Sequence, residues 1–269
     1  MTRLVTLTTD FGTGSVYVAQ MKGVLLSGAT PPTLVDLCHD APAHDLRAAA
    51  WFAARACLGF PPGSIHLIVV DPGVGTARRL LHARIGGHDF LAPDNGVLSL
   101  AIRRAGLEWA REIPIPTGAS ATFHGRDAFA PYARVLAGAP ASGAGEGDAF
   151  GDSDAGRRVE PVLLEWPEPK TRDDGAIEGE VIHVDAFGNL VTNLPASLLP
   201  RLLAAGAIRV GERTVSRVVR TYGEAPRGSL VALLGSQEAL EVAVVEGRAS
   251  DRLGAGVGTP VTLPVGRPG

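Results

Sequence analysis

The chain has 269 residues, 45% of them apolar, and a formal net charge of -3. That is enough apolar sequence for one or two domains, each with its own core. Lys and Arg total only 25 and scatter without forming a stripe, so no basic footprint for nucleic acid is present. No uncharged apolar run approaches the roughly 18 residues of a membrane-spanning helix.

Leu4–Leu7 alternates and then meets Thr8-Thr9-Asp10, the pattern of a first strand ending in a polar loop. No charged and apolar leader precedes it, so a cytoplasmic protein is expected. Ser15 to Ser27 has helical spacing, with Tyr17, Met21, Val24 and Leu25 able to share a face. Thr33–Cys38 reads as a second strand. Asp45 can cap a helix running through Cys57, with Leu46, Ala49, Ala50 and Ala53 inward and Gly59 as its stop. Ile65–Val70 is continuous and rich in β-branched residues, as a strand covered on both faces requires. Cys38 and Cys57 sit in apolar stretches and read as buried free thiols. His39 follows Cys38, but no second Cys or spaced His pair completes a metal pattern, so no metal site is expected.

Strands alternating with helices predict an α/β fold with a mainly parallel, Rossmann-like sheet. In such sheets the ligand crevice lies beyond the carboxyl ends of the strands, where Asp10 and Asp71 both fall. Leu80–Ile85 and Asp89–Leu91 flank Gly86-Gly87, a hairpin signature. Asn95–Ala105 predicts a helix, Arg111–Ile115 a strand and Gly125–Ala137 another helix, with Phe129, Ala133 and Leu136 on one side. Ala139–Gly156 is rich in Gly, Asp and Ser and reads as a mobile loop.

Beyond the Pro- and charge-rich Glu165–Gly175 the pattern changes. Glu180–Val184, Leu190–Thr192, Ile208–Val210, Val215–Val219, Leu230–Leu234 and Glu241–Val245 are short strand candidates, with one helix at Pro195–Ala205. The expected organisation is an N-terminal α/β domain over residues 1–165 and a C-terminal β-rich domain over 176–269.

Three segments concentrate the chemistry: Asp71–Arg78 (DPGVGTAR), Thr122–Asp127 (TFHGRD) and Asp185–Asn193 (DAFGNLVTN). Arg78 can return across Asp71 after the Gly73-Val74-Gly75 turn, and His124 stands beside Gly125. An aspartate can orient an imidazole or a water, and an arginine can hold an oxygen nucleophile, so Asp71, Arg78 and His124 suit water activation without a metal. Each also has a plain structural reading: a turn-capping carboxylate, a solvated arginine, a half-buried histidine. Asp10, followed by Gly12 and Gly14, can accept from ribose hydroxyls, although DFGTGS lacks the full dinucleotide-binding spacing. Asp185 and Asn189 can grip an ammonium and a base edge, or simply form a β-turn. Pro93-Asp94-Asn95-Gly96 reads as a turn and helix cap.

In order along the chain, TTDFG at Thr8–Gly12, APAHD at Ala41–Asp45, DPGVGTAR, APDNG at Ala92–Gly96, TFHGRD, DAFGNLVTN and GSQEALEVAV at Gly235–Val244 resemble the S-adenosyl-L-methionine (SAM) hydroxide adenosyltransferase family. SAM-dependent fluorinases and chlorinases are relatives of that family. The resemblance implies an N-terminal α/β domain joined to a C-terminal β-barrel-like domain. It implies a homotrimer with substrate sites at subunit interfaces. The implied reaction is attack of water or hydroxide on C5′ of SAM, giving adenosine and L-methionine. Asp71, Arg78 and His124 would form the water-activating triad. Asp10 would hold the ribose, Phe123 would line the ribose and C5′ region, Asp185 and Ser236 would meet the methionine end, and Asn189 the adenosine part. Two departures stand out. Ser15 replaces the family's usual acid, and Gln237 stands where halogenases use an arginine. The halogenases also place a serine at Gly125, a tyrosine at Asp71 and a threonine at Val74, so a halide pocket is not implied. A SAM- or adenosine-binding sensor without turnover is the alternative reading.

Overall fold

The computed structural model describes residues 3–28, 30–138 and 156–265. The expected mobile loop, all but Gly156, lies outside them. The chain divides into two compact units, Met1–Glu165 and Trp166–Gly269.

The first unit contains β1 (Leu4–Thr9), α1 (Val16–Leu26), β2 (Thr33–Cys38), α2 (Leu46–Ala56), β3 (Ile65–Val69), β4 (Leu80–Ile85), β5 (His88–Pro93), α3 (Ser99–Ala105), β6 (Leu107–Ile113) and α4 (Ala130–Leu136). Its strands form one mixed sheet in the order β2-β1-β3-β5-β4-β6. The pairs β1–β2, β1–β3 and β3–β5 are parallel, whereas β5–β4 and β4–β6 are antiparallel. The antiparallel part follows from the Gly86-Gly87 turn, which pairs Ile85 with His88 and sends β5 straight back along β4. Every residue of β3 is buried. Leu67 and Val69 enter one core with Met21, Leu25, Phe129 and Ala133. Ile68 and Val70 enter the other with Ala49, Ala53, Phe90 and Ala101. A strand with helices on both faces has no solvent side, hence its unbroken apolar run.

Several local expectations shift. Within α1 it is Val18 that is buried with Met21 and Leu25, while Tyr17 is exposed. Asp45 caps α2 by accepting from the amides of Arg47 and Ala48. The helix expected from Asn95 starts only at Ser99, because Asn95 is spent on a turn: its Oδ1 accepts from Val97 N and its Nδ2 donates to Val70 O. The helix expected from Gly125 opens with a π-helical turn, Gly125–Phe129, before α4. The sixth strand begins at Leu107, ahead of the predicted Arg111. Of the two free cysteines, Cys57 is buried and Cys38 only half-buried.

The second unit contains β7 (Lys170–Thr171), β8 (Ile177–Val184), β9 (Leu190–Pro195), α5 (Leu199–Ala205), β10 (Ile208–Val210), β11 (Arg213–Val215), β12 (Leu230–Leu234), β13 (Ala239–Val244), α6 (Ala249–Leu253) and β14 (Pro260–Leu263). One antiparallel sheet runs β11-β10-β14-β8-β9-β13-β12, with β7 against β8. β8 pairs with β14 through its first half and β9 through its second, with an irregularity between Val181 and His183. That bend curls the sheet around Val181, Leu194, Leu202, Leu240 and Val261. A parallel bridge between Val218 and Ala232 brings the segment after β11 onto β12, so the sheet is nearly a barrel. The strand expected at Val215–Val219 is mostly this closing segment, and β7, β14 and α6 have no counterpart among the expected elements.

His66, in β3, is fully buried between Thr6 Oγ1 (2.8 Å from Nδ1) and His88 Nδ1 (3.1 Å from Nε2). Burial, reinforced by His88, pushes its pKa down to about 3. A histidine that protonates more readily unfolded than folded withdraws stability as pH falls from about 6.5, by about 1.4 kcal/mol per pH unit, until it titrates in the fold. We therefore expect urea unfolding to show a smaller loss of stability from pH 7 to pH 5 in His66→Gln than in the unaltered chain. Equal losses would show that His66 does not carry the dependence.

Candidate active site

β1 and β3 are neighbours, with Thr9 paired to Val69. Asp10 and Asp71 therefore leave the same end of two adjacent parallel strands. After β3 the chain turns tightly: Val74 N donates to Asp71 O, and Thr76 N and Oγ1 both donate to Gly73 O. Gly75 has φ +79°, and a Cβ there would lie 2.5 Å from the carbonyl oxygen of Ala121. Only glycine permits that approach, and it sets the 71–78 turn against the segment leading to His124.

Arg78 then folds back onto Asp71. Its Nε donates to both carboxylate oxygens, at 3.0 and 2.9 Å, and its Nη2 also bonds Oδ2. The same Nη2 donates to His124 Nδ1 at 2.8 Å. Arginine has no acceptor, so Nδ1 carries the lone pair and the imidazole proton sits on Nε2. The side chains of Arg78 and Asp71 are only 8% and 5% exposed, and His124 as a residue 4%. The solvated-arginine reading is thereby set aside. Burial first, then the Arg78 charge, holds the His124 pKa below its ordinary value against the opposing pull of Asp71 and Asp127. Arg78 Nη1 is buried and has no hydrogen-bond partner among the described residues. A buried unpaired donor costs about 1–3 kcal/mol, which a ligand oxygen would relieve.

Asp127 fastens this loop by accepting from Ser120 N at 2.9 Å while pairing with Arg126. Phe123 is buried beside His124. Asp10 Oδ2 accepts from His44 N at 3.0 Å, which leaves Oδ1 without a partner among the described residues. His44 reaches it with φ +63°, a left-handed backbone that is costly for a non-glycine residue. Thr9 supports the same turn: its Oγ1 accepts from Phe11 N and lies 3.0 Å from His39 Nδ1.

In the second unit, Asp185 Oδ1 accepts from the amides of Phe187 and Asn189, and Oδ2 accepts from Asn189 Nδ2 at 3.0 Å. The two residues are thus brought together, as partners in one turn between β8 and β9. Ser236 is exposed on the turn between β12 and β13. Leu190 pairs with Val242 and Pro195 with Ala239, so the two turns flank the β9–β13 pairing, and Glu241 reaches both: its carboxylate lies against Gly235 and it feels the charge of Asp185. Sequence reasoning missed Glu241 and Tyr222. The Tyr222 hydroxyl donates to Glu241 Oε1 at 2.5 Å, and burial followed by the charge of Asp185 raises the Glu241 pKa. Glu241 falls inside an otherwise apolar strand buried at every position, where the sole signal is a charge within the apolar run.

Residues 5–144 match the SAM hydroxide adenosyltransferase N-terminal domain, and residues 179–262 match the C-terminal domain of the same name. The chain belongs to the SAM hydroxide adenosyltransferase family. It is 43% identical over 266 residues to the (R)-S-adenosyl-L-methionine hydrolase of Thermus thermophilus, covering 94% of this chain and 96% of that one. It is 38% identical over 271 residues to the protein of the same name from Salinispora tropica, covering 97% and 98%. A crystal structure of an uncharacterized conserved protein from Thermotoga maritima superposes with a TM-score of 0.84 at 31% identity, over 97% of this chain and 99% of that one.

Within this SAM hydroxide adenosyltransferase chain, the departure at Ser15 has a structural use: its hydroxyl accepts from Tyr17 N at 3.2 Å and caps α1. At Gly125, a Cβ would meet Met21 Sδ at 3.0 Å and the Phe123 ring at 3.3 Å, so the serine of halogenases would have to displace its neighbours.

The hydrogen-bond pattern makes His124 neutral at pH 7 with the proton on Nε2. Nitrogen-15 NMR should find that tautomer, titrating below the usual histidine range. Removing the guanidinium charge in Arg78→Ala should let the His124 pKa rise. A pKa that stays put or falls in this variant would mean that Arg78 does not govern the ring.

Proposed function

We propose that this chain hydrolyses SAM, with a water oxygen attacking C5′ and adenosine and L-methionine as products. The observation that carries the reading is the clamp: a buried carboxylate and a neutral imidazole held by one guanidinium whose remaining nitrogen has no partner among the described residues. The names of relatives at 38–43% identity over nearly the whole chain support it.

The chemistry asks little of a general acid. The sulfonium leaves as a neutral thioether, taking the C5′–S bonding pair with it. The enzyme must hold one water in line with that bond and accept its proton. Arg78 Nη1 is placed to bind the nucleophilic oxygen. Asp71 is the group able to take the proton, since His124 Nδ1 is occupied and Nε2 already bears hydrogen. His124, through Nε2–H, orients the same oxygen. Asp10, with one oxygen open, is assigned to the ribose hydroxyls. Phe123 lines the C5′ region, Asp185 and Ser236 take the methionine end and Asn189 the adenosine part. Asp185 has both oxygens in its own turn, so its grip on an ammonium uses the remaining lone pairs.

The finer architecture belongs to the same proposal. The first unit is a Rossmann-like domain, the second a β-barrel-like domain, and the protein a cytoplasmic homotrimer with sites at subunit interfaces. No metal or other cofactor takes part. These points rest on the family resemblance. Among the described residues no helix is long and apolar enough to cross a membrane.

The test is mass-spectrometric analysis of products from SAM of both configurations at sulfur, because the relatives' names specify R. Adenosine and methionine should form equally with and without EDTA. Chloride should produce no chlorinated nucleoside. Binding of SAM without product would favour the sensor. Asp71→Asn should lower kcat about 100-fold or more while changing SAM affinity far less. Asp10→Ala should mainly weaken binding, because ribose hydrogen bonds exist in both ground and transition states. Undiminished turnover in Asp71→Asn would overturn the assignment of the clamp.

A further inference from the structure

Three aromatic rings meet beside the proposed site, and the hydrolytic mechanism does not use them as a group. Phe11 directly follows Asp10, Phe123 directly precedes His124, and Tyr17 lies in the first turn of α1. Their ring centroids are 5.7 Å apart for Phe11–Tyr17, 6.0 Å for Phe11–Phe123 and 5.2 Å for Tyr17–Phe123. The interplanar angles are 59°, 74° and 82°, so the rings stand steeply to one another, like the walls of a corner.

A ring cluster that served packing alone would be closed. Here Phe123 is 7% exposed but Tyr17 is 52% exposed, on a helix whose Val18, Met21 and Leu25 are all buried. The cluster also already accepts a cation: the Arg126 guanidinium lies 5.0 Å from the Phe123 centroid. That charge is matched by Asp127, with Arg126 Nε 2.5 Å from Oδ1. Arg78, bonded to the His124 that follows Phe123, is matched by Asp71. The corner therefore carries no uncompensated positive charge, and the open π-surface belongs to Tyr17 and Phe11.

We propose that Phe11, Tyr17 and Phe123 form a charge-selective corner that takes the sulfonium of the substrate and discriminates against neutral thioethers. The proposal rests on the SAM-hydrolase reading and adds a source of specificity to it. A sulfonium is a compact, weakly hydrated cation, the kind of group an aromatic face attracts. The attraction ends when the C5′–S bond breaks, because the sulfur leaves neutral. The corner thus favours substrate over thioether product. It acts on the ground state, so its loss should raise KM more than it lowers kcat.

The experiment compares SAM with S-adenosyl-L-homocysteine, which lacks the sulfur methyl group and its charge. Calorimetric affinities are measured in a His124→Ala background, where the ring that orients the water is gone while the Arg78–Asp71 pair keeps its charge balance. Tyr17→Leu and Phe11→Leu, made separately, should each weaken SAM binding about three- to thirtyfold while leaving the homocysteine analogue within about twofold. Tyr17→Phe, which keeps the ring, should bind both ligands as before. Thermal melts identify variants that remain folded. Parallel losses for the two ligands in folded variants, or no loss for either, would overturn the corner while product formation by the unaltered protein left the hydrolase reading intact. If the background protein binds neither ligand and the unaltered chain makes no adenosine, both fall together.

Discussion

Arg78 is the constraint on which the site depends. Among the described residues it is the one side chain bonded to both Asp71 and His124, and it is almost wholly buried in doing so. A lysine could not replace it, since a single ammonium cannot present the planar fork that grips two carboxylate oxygens while a third donor direction reaches the imidazole. Replacing Asp71 by any neutral residue would leave a buried guanidinium without its counter-charge; asparagine would still offer it one acceptor oxygen, alanine none. The guanidinium also fixes the chemistry of its neighbour. Donating to Nδ1 and repelling a second positive charge, it keeps His124 a neutral ring with its hydrogen on Nε2.

The fold delivers this clamp by register. Because β1 and β3 are parallel neighbours, their carboxyl ends share an edge, and the acids that follow them emerge together. The 71–78 turn can then approach the 121–124 segment only because residue 75 has no side chain. Asp10 is set by a different device, the left-handed backbone of His44, one residue before the carboxylate that caps α2. Backbone strain, helix capping and the orientation of a candidate ribose ligand are thus coupled within the short APAHD segment. The energy to sustain that strain comes from the buried face of α2, where Ala49, Ala50, Ala53 and Ala54 are fully enclosed.

Much of this is legible in the sequence, for identifiable reasons. The two-faced strand β3 and the glycine hairpin announce themselves because burial and turn geometry act on adjacent residues. Helix starts are harder wherever polar residues serve a turn first, as Asn95 does by tying the end of β3 to the start of the next helix. The mixed character of the sheet follows from the two-residue Gly86-Gly87 connection, which a hairpin signature reveals and which an expectation of mainly parallel pairing leaves out of account. In the second unit, β14 and β7 are too short or too polar to carry a periodic signal. Spacing alone puts Tyr17 on an inward face, and spacing cannot distinguish a residue that faces the core from one that faces two other aromatic rings.

The motif acids divide into those that bind the protein and those left free to bind something else. Asp94 accepts from Arg79 and from Val162 N, Asp127 from Ser120 N and Arg126, and Asp185 from its own turn, so each spends its oxygens on loop geometry. Asp10 keeps one oxygen open, and Arg78 keeps one nitrogen. Those two unspent valences, both in the first unit and both beyond the same end of its sheet, are what a bound nucleoside and an attacking oxygen would require. Conspicuous residues in a glycine-rich motif are therefore weak evidence of contact with a ligand. The hydrogen-bonding capacity that remains after the fold has used its share is stronger evidence, and it becomes visible only once the loops are closed.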